Sequence, residues 1–285
     1  MKASTCIAGT VLVASLLPTT AVPQSLFEAD FGSGRILRFT TSGAQSTFAS
    51  GFNAPEGLAV DSAGNLYVGN AGYGNVIKIT TNGVQSVFAS GFNNPYGLTF
   101  DRTGNLFVAN RGNGTISRIT PGGVVTTFAS GLINPEGMIF DAAGNLLVAD
   151  QYLGTVFAFT TNGVRSTYAS GFLYPQGLAF DSFGDLFVAE YGLGDVAEIT
   201  PGGARSVFAS GLGIPQQMVF DSAGNLFVTS QTLNSIIEIT PSGVQSVFAS
   251  GLNQPYGLVF VPEPSTPAFL GLGASLLLGF RRRRN

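Results

Sequence analysis

The fold class this sequence predicts is all-β: six four-stranded sheets set in a closed ring, a six-bladed β-propeller. Three observations carry that prediction. The phrase Phe-Ala-Ser-Gly begins at Phe48, Phe88, Phe128, Phe208 and Phe248, with Tyr-Ala-Ser-Gly at Tyr168, so that each copy starts 40 residues after the last. Each copy holds four short apolar runs separated by Gly- and Asn-rich turns, the grammar of strands joined by tight connections. The partial copies at the two ends of the repeat region complement one another, which a ring needs and an open solenoid does not.

Within the copy that starts at Phe48, residues 57–60 read as the first strand and the turn 61–64 follows as Asp-Ser-Ala-Gly. Residues 65–69 read as the second strand, 70–74 as a loop, 75–80 as the third strand, 81–83 as a turn and 84–89 as the fourth strand. Asp-x-x-Gly and Asn-Gly supply the left-handed backbone positions that tight hairpins require. Asp61, Asp101, Asp141, Asp181 and Asp221 share one turn slot, and an Asp there accepts hydrogen bonds from the turn's own N–H groups. The second-strand pattern recurs at Leu26, Leu66, Leu106, Leu146, Leu186 and Leu226, and the first-strand pattern at Gly57, Gly97, Gly137, Gly177, Gln217 and Gly257. The repeat region thus begins on a second strand and ends on a first strand. Closure requires residues 258–260 to pair with residues 26–30, which removes the open sheet edge of the ring.

The pattern Pro-x-Gly-Leu-x-Phe-Asp-x-x-Gly-Asn-Leu-Phe-Val-Ala-Asn, intact from Pro95 to Asn110, resembles the NHL-repeat family over residues 26–260. Gluconolactonase-like and streptogramin-lyase-like propellers share this blade pattern. The resemblance implies the propeller and leaves function open, because the architecture hosts binders and enzymes alike.

The two ends read as addresses. Met1–Lys2 and the apolar run 6–17 form a secretory signal peptide, with Thr19-Thr20-Ala21 as a small-residue cleavage site, giving a segment 1–21 ahead of a propeller over 22–261. Residues 262–285 run from a Pro-rich break through an apolar stretch, 268–280, to Arg281–Arg284. Pro262, Glu263 and Pro264, with that stretch and those arginines, resemble the PEP-CTERM sorting signal of Gram-negative bacteria. The resemblance implies export, an exosortase-type membrane peptidase as a partner, delivery to the cell surface or extracellular matrix, and association with exopolysaccharide or a surface protein. The apolar run of 13 residues makes a helix of about 20 Å against a hydrocarbon core of about 30 Å, which suits a transient membrane anchor.

Composition narrows the chemistry. The chain has no His, and its single cysteine, Cys6, lies in the signal segment, which excludes His-based triads, imidazole metal sites and thiol nucleophiles from the propeller. Residues 22–262 hold 8 basic and 15 acidic side chains, a net −7 (8 − 15) that repels phosphate backbones, so no nucleic-acid partner is expected.

Function, if written anywhere, lies where the copies differ. The residue between Pro and Gly of the first strand reads Glu56, Tyr96, Glu136, Gln176, Gln216 and Tyr256 around the ring and is expected to point into the central channel. Asp30, Asn70, Asn110, Asp150, Glu190 and Ser230, which close the second strands, are expected on the same face, beside Phe31, Tyr73, Tyr152 and Tyr191. Acids, amides and aromatics together suit a sugar or a hard cation. Glu56 and Glu136 are candidate ligands for Ca²⁺ or another divalent cation, with no cofactor required. The same residues also suit a channel plugged by tyrosines and hydrogen-bonded amides. Three functions follow as expectations: a surface binding module for a glycan or protein, a metal-dependent lactonase-like hydrolase, or a purely structural matrix protein.

Overall fold

The computed structural model describes residues 24–262. The signal segment 1–21, the expected mature start at Val22, and Glu263, Pro264 and the rest of the sorting segment lie outside those residues. Strands β1 (Gln24–Asp30), β2 (Arg35–Phe39) and β3 (Gln45–Ser50) open the chain, and β4 (Pro55–Val60), β5 (Leu66–Asn70), β6 (Asn75–Ile79) and β7 (Gln85–Ser90) form blade 1. Strands β8–β11 (residues 95–129), β12–β15 (135–170), β16–β19 (175–209) and β20–β23 (215–250) form blades 2 to 5. The final strand β24 (Pro255–Pro262) joins β1–β3 as the innermost strand of blade 6. The architecture is the six-bladed propeller that the repeats predict.

Closure follows the expected pairing and runs further, from Gln24↔Pro262 through Glu28↔Leu258 to Asp30↔Pro255. Each innermost strand of blades 1 to 5 begins at its proline, two residues before the sequence places it; a register irregularity between that proline and the third residue after it lets Pro55, for instance, still pair with Asn70.

The repeating phrase has a packing reason. In blades 1, 2, 4 and 5 its Phe, on the outer strand, meets the aromatic of the second strand, which in turn meets the last Phe of the next blade's innermost strand. Phe107 lies edge-on to Phe128 at 5.0 Å and to Phe140 at 5.1 Å, and Phe187 repeats this with Phe208 and Phe220 at 4.9 Å each. Buried apolar residues consequently gather between blades rather than in one centre.

The innermost strands approach so closely that a Cβ on Gly57, Gly97, Gly137, Gly177 or Gly257 would overlap a backbone carbonyl oxygen of the next blade. Only the blade 5–blade 6 seam breaks this rule, with Gln217 in the glycine slot. Two further departures meet there. Thr229 stands where the other repeats have Gly or Ala; its hydroxyl accepts from Gln217 N (3.0 Å) and donates across the seam to Tyr256 O (2.7 Å). Glu28 stands where the other five repeats have Val, and strand alternation places it on the same side of β1 as Leu26, whose cluster includes Phe227 of blade 5. The ring closes through a polar seam.

The Asp turn slot behaves as its residue type requires. Asp61 Oδ1 accepts from Ala63 N and Asn65 N at 3.0 and 2.9 Å, and Asp101 and Asp221 repeat the arrangement.

Candidate functional site: the channel mouth

The six first-strand residues do converge on the channel. Glu56, Tyr96, Glu136, Gln176 and Gln216 are buried, and Tyr256 is half-buried. Tyr96 crosses the channel: its hydroxyl lies 2.8 Å from Gln176 Oε1 and 3.0 Å from Gln216 Oε1. One phenolic proton serves one of these two amide oxygens at a time. Tyr256 packs edge-on against Tyr96 at 5.9 Å and stacks with Phe31 at 5.0 Å.

Beside this plug lies a charged group. Arg111, one residue beyond the second strand of blade 2, pairs with Glu136 (Nε–Oε1 3.1 Å) and lies over the Tyr96 ring at 5.5 Å. Asn134 donates to Glu136 Oε1 at 2.8 Å and to Gln151 Oε1 at 2.6 Å. Burial raises the Glu136 carboxyl well above its ordinary range, against the pull of Arg111 and with a further push from Glu56. Burial likewise takes Glu56 up to about 8, again opposed by Arg111. Both acids keep one oxygen, Oε2, buried without a hydrogen-bond partner among the described residues. A guanidinium acting on both carboxylates sets a positive charge where a divalent cation would need to bind. Among the described residues, no three Asp or Glu side chains gather as a metal-holding group.

The residues closing the second strands sit on the same side of the disc, and their bonds go to their own blades. Asn70 Oδ1 accepts from Asn53 N, Asp150 from Ile133 N and Asn134 N, Glu190 from Leu173 N, and Asp30 from Asn253 N, each tying down the loop that leads into the innermost strand. Glu190 also pairs with Arg205. Asn110 donates to Thr115 and Ser117, and Ser230 donates to Leu212 O.

Above the plug a pocket of about 300 Å³ opens to solvent, lined by Tyr96, Arg111, Gln151, Tyr152, Tyr174, Gln176, Tyr191, Gln216, Gln231 and Tyr256. Gln231 links the mouth together, accepting from Gln216 Nε2 (3.1 Å) and reaching the Tyr256 hydroxyl (3.4 Å). Arg111, Gln151, Gln231 and Tyr174 were not singled out from sequence. The signal for the first three was present: the position after the second strand reads Phe31, Ala71, Arg111, Gln151, Tyr191, Gln231, as variable as the Pro-x-Gly position itself.

A match to a known sorting motif settles the C-terminal reading: residues 260–284 match the PEP-CTERM protein-sorting motif. This chain carries a PEP-CTERM signal. Such a signal indicates export and surface association in bacteria and is recognised in exosortase-type processing. Among curated proteins no sequence matches the chain. Among solved structures, a nidogen/laminin complex superposes with TM-score 0.77 at 21% identity, over 84% of this chain and 98% of that one. The virginiamycin B lyase of Staphylococcus aureus superposes at 0.62 with 17% identity, over 81% and 86%. A putative gluconolactonase superposes at 0.64 with 18% identity, over 72% and 81%. At these identities the likeness shows the fold alone, and the three names range from a protein complex to a lyase and a putative gluconolactonase.

The matched segment begins inside β24, near the strand end where Pro262 pairs with Gln24, whereas the mouth lies at the end where Pro255 pairs with Asp30.

Proposed function

We propose that this protein is an exported surface binding module of a Gram-negative envelope, which holds a glycan at the channel mouth. One observation carries the reading: the mouth is an open pocket of amides and tyrosines standing on a floor that Tyr96 closes against Gln176 and Gln216. Gln151, Gln176 and Gln231 each carry a donor and an acceptor at the pocket wall, the combination that a sugar hydroxyl matches. The Arg111–Glu136 pair and the raised Glu56 carboxyl leave the pocket near neutrality at pH 7. β24 ends at Pro262, at the end of the strand opposite to the mouth, which suits attachment through the sorting segment that follows. The lactonase-like reading has less support, because Arg111 acts on both carboxylates a metal would use and Tyr96 fills the channel between the blades.

The test is affinity of the purified exported protein for envelope polysaccharide, measured by calorimetry, with Gln231→Ala as the disabling variant. Binding that weakens severalfold in the variant agrees with the proposal. Calcium-dependent thermal stabilisation abolished by Glu56→Gln and Glu136→Gln, without polysaccharide binding, would overturn it in favour of the metal reading.

A further inference from the structure

Two tyrosines at the mouth occupy positions that the repeat reserves for other residues. Tyr152 stands where blades 6, 1, 2 and 4 have Gly32, Gly72, Gly112 and Gly192. Those glycines are needed for packing: a Cβ at any of them would overlap the side chain of Asn253, Asn53, Asn93 or Leu173 lying above it. In blade 3 the ring of Tyr152 instead projects outward and is 63% exposed. Tyr174 stands in the left-handed region at φ +56°, in a turn slot where three other repeats place Ala54, Asn94 and Gln254 with φ of 53°, 55° and 55°. The turn takes this conformation in four of the six repeats, whatever the residue type. Asn suits it best, and a bulky ring there is strained. Packing does not reward Tyr174 for the strain, because its side chain remains exposed at the mouth.

Both departures serve one arrangement. Tyr174 stands edge-on to Tyr152 at 6.2 Å, with the rings at 83°, and to Tyr191 at 6.3 Å, with the rings at 80°. All three line the amide pocket. A cluster of near-perpendicular rings leaves ring faces open to the pocket while each ring braces its neighbour. The C–H face of a pyranose packs on such a ring face, and its hydroxyls, standing out at the edge, reach the amides of Gln151 and Gln176. A charged ligand finds less here: the one cation at the pocket wall, Arg111, is already paired with Glu136.

Resting on the glycan reading above, we infer that Tyr152, Tyr174 and Tyr191 form a stacking subsite that makes the mouth specific for an uncharged pyranose polymer. Tyr152 and Tyr174 are the specificity-determining residues, and blades 3 and 4 carry the subsite.

The experiment uses the full exported chain in affinity electrophoresis against gels containing dextran, laminarin or xyloglucan as neutral probes and alginate as the charged one. Tyr152→Gly and Tyr174→Asn restore the residue types of the other repeats, so the melting temperature is expected to hold or rise. Affinity for the preferred neutral polymer is expected to fall about tenfold in each, a stacking-sized loss, while Tyr152→Phe keeps it. Neutral-polymer binding that Gln231→Ala weakens but both tyrosine variants leave unchanged overturns the subsite and leaves the glycan function standing. Melting temperatures that drop in both variants assign the rings to packing and also overturn it. Preference for alginate, lost with Arg111→Gln, overturns the uncharged specificity. Absence of binding to every polymer removes this inference together with the function it rests on.

Discussion

The two sides of the channel mouth use the same repeat differently. On the side of blades 1 and 2, Glu56, Tyr96 and Arg111 join Glu136 in a buried group that meets most of its own needs. On the side of blades 3 to 5, Tyr152, Tyr174, Tyr191 and Gln231 keep rings and an amide at a solvent-open pocket that the buried Gln151 also lines. The backbone frame is the same on both sides, so the difference comes from single side chains in loop slots of unchanged length. A propeller can seal one sector and open another without altering a strand.

The largest expected effect comes from breaking the sealed side. Arg111→Met leaves Glu136 buried without its counter-charge and should cost about 3 kcal/mol in urea unfolding at pH 8. The loss should shrink as pH falls and Glu136 takes up a proton. Equal losses at high and low pH would mean that the pair contributes packing rather than charge. Tyr96→Phe comes next. It deprives Gln176 and Gln216 of their shared partner and should cost about 2 kcal/mol, with polysaccharide affinity at the mouth little changed.

The blade repeat was legible from the period, the turn residues and the matched partial copies, because each of these is local. The site was legible only in part. Glu56, Glu136 and the Pro-x-Gly series stood out because they vary, and alternation along a strand predicts where they point. That Arg111 would reach Glu136 depends on a loop of one blade leaning over the innermost strand of the next, which no spacing within a repeat encodes. The carboxylates and amides from Asp30 to Glu190 share the site's face, yet their bonds to loop N–H groups depend on backbone turns set by positive-φ residues such as Ala54 and Asn94. Tyr174 escaped notice because its oddity is conformational. Glu28 was visible as a Val-to-Glu departure, but its meaning required knowing that Gln217 and Thr229 meet it at one seam.

That seam gives a third prediction. Burial, then the charge of Asp30, holds the Glu28 carboxyl well above its ordinary range, with the Tyr256 backbone acting in the opposite sense. Burial does the same for Glu56, which ionises in the fold at about 8. In this window these two carboxyls bind more protons in the folded state than in the unfolded one, so their contribution to stability is greatest below the ordinary carboxylate value and falls as pH rises towards 8. Glu28→Val restores the residue of the other repeats and should raise stability at pH 8 by about 1–2 kcal/mol, with less gain at pH 4. A variant equally stabilised at both values would show that Glu28 does not titrate at the seam. Calcium is the smallest effect: with Arg111 acting on both channel acids, the melting temperature is expected to stay unchanged in millimolar Ca²⁺.

The most direct measurement is a crystal structure of the protein soaked with a neutral oligosaccharide and Ca²⁺ together. The sealed-side, open-side account predicts sugar density against Tyr152 and Tyr174 with hydroxyls on Gln151 and Gln176, and Arg111 still on Glu136. A metal ion between Glu56 and Glu136 with Arg111 displaced, or sugar bound away from the tyrosines, would contradict it.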